Sequence, residues 1–303
     1  MVKKTFILGD EWIFVKLYTG YKTADVILSE IVPWIVIQLQ NQNVLSKWFF
    51  IRYSDPDFHI RLRFCLNSSQ NYALAVSSIY TAIINLVKEG LIWKVQFDTY
   101  KREIERYGHS TIDYAEDIFH ADSQAVIKLL SIIEDDQNES RRWLLAVKMI
   151  DIFLQDFNFT LDQKLEFIRP LSTSFINEFG FSKKEIQLQL NKKYRIHRHS
   201  IDEIILAPSK NAGWFRPLSE IIIQKSRIIK PIAAELLEME RRNLLEVPLN
   251  NLLGSYIHMM INRLFRSKQR IYELVLYDML RRCYSSQIAR TKKSCAQEKA
   301  VSY

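Results

Sequence analysis

The sequence predicts an α+β protein: a β-α-β-β-α-β run of ferredoxin-like type followed by a mainly helical region. Two observations carry this. Over the first hundred residues the apolar pattern switches repeatedly between a period of two and a period near 3.6, and after Tyr100 it stays near 3.6 almost throughout. At 303 residues, 48% of them hydrophobic and 25% charged, the chain is long enough to bury a sizeable core.

The elements follow in order. Trp12 to Tyr18 alternates, with Ile13, Val15 and Leu17 opposite Phe14, Lys16 and Tyr18, which predicts a strand. Thr23 to Gln40 reads as a helix with Thr23 as N-cap and a bend at Pro33. A strand from Trp48 to Tyr53, a turn at Asp55-Pro56-Asp57 and a strand from His59 to Leu66 make a hairpin. Asn71 to Lys88 is a helix stopped by Gly90, and Trp93 to Tyr100 is the fourth strand. Such a sheet has one face under two helices and leaves the other for solvent, a ligand or another layer.

Helices are predicted at Ser110 to His120, Ser123 to Ile133, Arg141 to Phe157, Thr160 to Phe179, Ser182 to Leu190, Ser219 to Leu245 and Leu249 to Cys283. A bend is expected near Pro170, an interruption near Pro231, and an irregular loop over 191–217 that includes Gly213-Trp214-Phe215. The expected division is 1–108 for the sheet region, 109–283 for the helical region and 284–303 for a basic, disordered tail.

Composition excludes several classes. Cys65, Cys283 and Cys295 are odd in number and far apart, which argues against a disulfide framework and a zinc site and for reduced thiols. The apolar stretch around Ile31 to Leu39 is shorter than the roughly 20 residues of a spanning helix, and Gly9-Asp10-Glu11 breaks the amino-terminal run, so a cytoplasmic location is expected. Much of the net charge of +8 sits in Arg281, Arg282, Arg290, Lys292, Lys293 and Lys299, and no nucleic-acid-binding signature accompanies it. Only seven glycines occur, with no phosphate-cradling loop among them.

Three segments carry chemistry. In Arg52-Tyr53-Ser54-Asp55-Pro56-Asp57-Phe58-His59-Ile60-Arg61-Leu62-Arg63, strand alternation puts His59, Arg61 and Arg63 on one side, which suits a grip on carboxylates as well as an ordinary basic face. The second, Glu103-Ile104-Glu105-Arg106-Tyr107-Gly108, leaves the fourth strand where Arg106 can reach the open sheet face. In the third, Ser255-Tyr256-Ile257-His258-Met259-Met260-Ile261-Asn262, helical spacing aligns Ser255, His258 and Asn262 as a polar stripe.

Together with W-I-F-V-K-L-Y near the start and A-E-D-I-F-H-A-D-S after the second segment, these pieces resemble the carboxy-terminal region of the lanthipeptide dehydratases, also found in thiopeptide biosynthesis proteins. The resemblance covers about Trp12 to Cys283. One departure is visible: many relatives carry a second histidine where Met260 stands.

The resemblance implies a glutamate-elimination unit that turns glutamylated Ser or Thr of a ribosomal precursor peptide into dehydroalanine or dehydrobutyrine. It implies no metal and no organic cofactor, a separate glutamyl-tRNA-dependent glutamylation subunit as partner, and tRNA binding by that partner only. A homodimer is left open. By resemblance, Arg61, Arg63 and Arg106 hold the glutamyl group and the developing enolate, and His258 transfers protons. Arg52, Tyr53, His59, Ser255 and Asn262 bind or orient substrate. The alternatives are a thiopeptide pyridine synthase, which joins two dehydroalanines and expels the leader, and a non-catalytic precursor-binding subunit.

Overall fold

The computed structural model describes residues 2–133, 139–178, 183–206 and 215–301. Two compact units divide the chain, Met1–Asp135 with Arg227–Ser267, and Asp136–Ser226 with Lys268–Tyr303. The first contains the sheet. It holds β1 (Thr5–Phe6), β2 (Trp12–Thr19), α1 (Tyr21–Val26), α2 (Val32–Asn41), β3 (Leu45–Ser54), β4 (Phe58–Leu66), α3 (Tyr72–Lys88), β5 (Ile92–Phe97), β6 (Tyr100–Lys101), α4 (Ile104–Tyr107), α5 (Ile112–Ile132) and α10 (Leu249–Leu264).

The main sheet is antiparallel in the order β3-β4-β2-β5, the ferredoxin-like order that the element sequence predicts. Its inner face is apolar. Ile13, Val15, Leu17, Trp48, Phe50, Ile60, Leu62 and Phe64 are fully buried there, against α1, α2 and α3. Register puts Phe14, Lys16, Tyr18, Phe49, Ile51, Tyr53, His59, Arg61 and Arg63 on the opposite face. That face is more enclosed than a solvated basic strand would be, since Phe14, Tyr18, Phe49, His59 and Arg63 are all buried.

The first helix starts at Tyr21 rather than at Thr23, with extended Gly20 at the cap position. A π-helical turn, Ile27–Ile31, precedes α2, and Pro33 lies in the first turn of α2. Proline cannot donate an amide hydrogen bond and its ring crowds the carbonyl four residues earlier, so the wider turn falls where it relieves both. The continuous helical stretch Tyr21–Asn41 has 21 residues and is by length and apolarity long enough to cross a bilayer, contrary to the shorter stretch expected. Here its buried Asp25 pairs with Arg52 and Arg266 at 2.6 Å each.

Alternating ladders leave the amides of residues 48, 50 and 52 at the outer edge of β3. Side chains close that edge. His120 Nδ1 lies 2.8 Å from the Trp48 carbonyl oxygen, Phe50 N–H donates to Ser123 Oγ at 3.2 Å, and Arg263 Nε donates to the Phe50 carbonyl at 2.8 Å. The Asn262 amide both accepts from Arg52 N–H and donates to Arg52 O, each at 2.9 Å. The helix that supplies two of these groups, α5, is one rather than the two expected. Ser123, where the second helix is expected to start, is buried inside it beside Asp122 and serves β3.

The second unit is helical, with α6 (Glu139–Asp156), α7 (Leu161–Glu178), α8 (Lys183–Leu206) and α11 (Gln269–Val301). A buried polar knot ties three of these helices: Lys164 Nζ donates to Asp151 at 2.7 Å and Tyr284 Oη donates to the same carboxylate oxygen at 3.0 Å. Four expectations are corrected. α8 continues through 191–206 where a loop was expected, while Gly213 and Trp214 lie outside the described residues. The helix expected over Leu249 to Cys283 is two, parted where Lys268 takes φ 55°. Residues 284–301 extend α11 instead of forming a disordered tail. α9 (Arg216–Arg241) runs through Pro231 without interruption.

Candidate active site

The outward face of β4 supplies two guanidinium groups in different states. Arg63 is buried, its Cζ 4.4 Å from the ring centre of Phe14, 5.0 Å from that of Tyr100 and 5.2 Å from that of Phe49. Its Nε is buried without a hydrogen-bond partner, and among the described residues no carboxylate pairs with it. Burial pushes its pKa below the usual arginine value, with Glu103 and Glu116 acting in the opposite direction from a distance. Other buried arginines here are paired: Arg52 with Asp25, and Arg102 with Glu116 at 2.6 Å. An uncompensated buried cation is costly, which makes the cleft beside Arg63 a natural host for an anion.

Arg61 is built differently. Its guanidinium lies 3.4 Å from the ring centre of Tyr53, and its Nε donates to His59 Nε2 at 3.0 Å. His59 Nδ1 in turn lies 2.8 Å from the Asp57 carbonyl oxygen. The two bonds together require the neutral imidazole with its proton on Nδ1. Burial first, then the Arg61 and Lys16 charges, hold the His59 pKa below its ordinary value, against the Asp57 bond. Tyr53 and His59 thus orient Arg61 and leave the rest of its fork open.

The one-turn helix α4 brings Arg106 in from β6. Arg106 Nε donates to Ser255 Oγ at 3.1 Å, and its Nη1 lies 3.6 Å from the Glu103 carboxylate. Gly108 ends that turn at φ 77°, where a Cβ would come within 2.9 Å of Thr111 Oγ1, so glycine is needed on both counts. Tyr107 stacks on Tyr256 of α10 with ring centres 5.8 Å apart. Arg63, Tyr100, Glu103, Tyr107 and Met259 line one cleft. Segments nearly two hundred residues apart therefore meet.

His258 sits half-buried on α10, between Ser255, which engages Arg106, and Asn262, which engages β3. Its neighbour Met259 lines the Arg63 cleft. Met260, where the resemblance implies a second histidine, is buried on another side of the helix.

Two residues predicted to contact substrate are committed elsewhere. Arg52 alternates onto the inner sheet face, paired with Asp25 and donating from Nε to the Arg263 carbonyl at 3.0 Å. Asn262 spends its amide on the β3 edge. Glu103 was missed as a site residue. The signal was present, because three-residue spacing puts it on the same side of a helical turn as Arg106.

Comparison with known proteins gives the family and the fold. Residues 12–284 match the family described as lantibiotic biosynthesis dehydratase, C-terminal. The nisin biosynthesis protein NisB of Lactococcus lactis subsp. lactis is 30% identical over 281 residues, which are 92% of this chain and 26% of NisB. The crystal structure of the tRNA-dependent lantibiotic dehydratase MibB from Microbispora superposes with a TM-score of 0.73 at 20% identity, over 94% of this chain and 29% of MibB. The pyridine synthase TbtD from thiomuracin biosynthesis has the same fold, with a TM-score of 0.65 at 12% identity over 91% of this chain and 99% of its own. The chain thus spans about a quarter of the length of NisB, and by its sequence match and its fold it belongs to the lantibiotic biosynthesis dehydratase C-terminal family.

Proposed function

We propose that this chain eliminates glutamate from glutamylated Ser or Thr residues of a precursor peptide, acting after a glutamylation step supplied by a partner subunit. The observation that carries the reading is Arg63, a buried guanidinium without a carboxylate partner among the described residues, in a cleft shared with Glu103 and next to Arg61 and Arg106. In the reaction a base removes the Cα proton of the modified residue. The electron pair forms the Cα–Cβ double bond, the Cβ–O bond breaks, and glutamate leaves as a carboxylate.

Three negative centres need hosts: the glutamyl side chain, the enolate oxygen that develops on the neighbouring carbonyl, and the departing carboxylate. Arginine suits all three because it stays protonated and donates in a planar fork. Arg61 and Arg63 on β4 and Arg106 on α4 are assigned to them. His258 is assigned proton transfer, and Glu103 is a second group able to accept a proton in the same cleft. The glutamate ester itself must come from an aminoacylating reaction.

Mass spectrometry of a synthetic peptide carrying glutamyl-Ser behind its leader tests the proposal. Loss of the whole glutamate with formation of dehydroalanine is expected. Persistence of the ester with folded protein removes elimination. Pyridine synthesis is the second reading, favoured by the full-length match to TbtD, and a peptide already bearing two dehydroalanines would be cyclised under it.

A further inference from the structure

The sheet has two edges, and the fold treats them oppositely. On β3, side chains of α5 and α10 occupy the backbone groups of residues 48, 50 and 52, so no strand can be added there. On β5 the polarity of each residue follows from the ladder. Asp98 N–H donates to Phe14 O at 3.0 Å, which makes 14 and 98 a hydrogen-bonded pair. Stepping by two, Lys16 with Gln96 and Tyr18 with Lys94 are hydrogen-bonded pairs as well. Val95 and Phe97 lie between them and direct their N–H and C=O groups away from β2. The bond from Leu66 N–H to Glu11 O gives the matching phase on the other side of β2. Among the described residues nothing pairs with this outer side of β5.

We propose that the β5 edge docks an extended segment of the precursor peptide by strand addition, an inference that rests on the elimination reading above. Lys94 and Gln96 share the face of His59 and Arg61 by register, so every second residue of an added strand would project on the arginine side. Lys94 and the adjoining Lys16 favour a segment with acidic residues on that side, although Lys16 also holds Asp98 at 2.5 Å. Trp93, 55% exposed, and Leu91, 41% exposed, offer apolar contact where the ladder ends at a bulge. An added strand would lie about three strand spacings, or roughly 14 Å, from β4. The docked segment is therefore not the reacting one, and about four or five extended residues separate them.

Val95→Pro tests this, because it removes an outward N–H and no bond to β2. Binding of a fluorescein-labelled, leader-bearing lanthipeptide precursor is expected to weaken at least tenfold in fluorescence anisotropy. Tyr80→Ala, at an exposed position of α3, is expected to retain binding. In wild-type protein, competing synthetic segments of that precursor N-methylated one position at a time are expected to lose affinity with a period of two. This scan stands even if Val95→Pro does not fold. Unchanged binding by folded Val95→Pro, or N-methyl effects without that period, overturns the proposal. So does a dimer, seen by sedimentation, that Val95→Pro dissociates, since a second copy would then cover the edge. Periodic binding without glutamate release would support the docking and remove elimination instead.

Discussion

At the scale of residues, Arg63 sets stability against function. Its guanidinium is buried against three aromatic rings without a carboxylate partner among the described residues, so the apo protein bears a desolvation cost that a bound anion would offset. Arg63→Met is expected to raise the thermal unfolding temperature while abolishing elimination, read by calorimetry and by accumulation of the glutamylated peptide. Arg63→Lys is expected not to rescue activity, because a point charge cannot reproduce the stacked fork. Loss of Arg61 or Arg106 is expected to slow elimination by about 10²–10³. His59 adds a pH signature. Its folded pKa lies below the ordinary histidine value, so its contribution is complete above about pH 6.5 and disappears as pH falls through the lowered value. Stability and activity should both decline on the acid side, and His59→Gln, which keeps an acceptor for Arg61, should flatten that limb. A His59→Gln profile identical to wild type would remove this role.

Elements show what the sequence revealed and what it hid. The four strands, both sheet helices and the side-by-side placement of Arg61 and Arg63 were legible, because a period of two fixes which residues share a face. The same rule, applied to Arg52, puts it on the face opposite Arg61 and Arg63. The roles of Asp122, Ser123 and Asn262 were not legible: cap-like residues look alike whether they end their own helix or satisfy a strand elsewhere in the chain. The helical course of 191–206 was hidden for a related reason, since its histidines, lysines and arginines give little apolar period to read. Asn262 carries the element-scale prediction. Asn262→Ala leaves an N–H and a carbonyl of Arg52 without their partner and is expected to cost about 1–3 kcal/mol in urea unfolding, with elimination by the folded fraction largely preserved. A loss of turnover without loss of stability would return Asn262 to the reacting centre.

For the whole molecule, charge placement bears on how the proposed anionic substrate would be captured. The sequence carries a net +8, yet the buried arginines of the sheet unit are mostly neutralised internally, Arg52 by Asp25 and Arg102 by Glu116 and Asp113. On the outward sheet face Arg61, Arg63 and Lys94 share one side by register, and Arg106 stands beside it with Glu103 at 3.6 Å. The exposed ones act through solvent over a Debye length of about 10 Å at 0.1 M salt and about 3 Å at 1 M. Arg63, enclosed by aromatic rings, is screened much less. Added salt should therefore weaken capture of the glutamylated peptide more than it slows the chemical step. Initial rates of glutamate release measured from 0.05 to 1 M sodium chloride are expected to show KM rising severalfold while kcat changes by less than a factor of two. The reverse pattern, with kcat collapsing and KM constant, would mean that the anion is held by exposed charges in the transition state, and Arg63 would lose its place at the centre of the site.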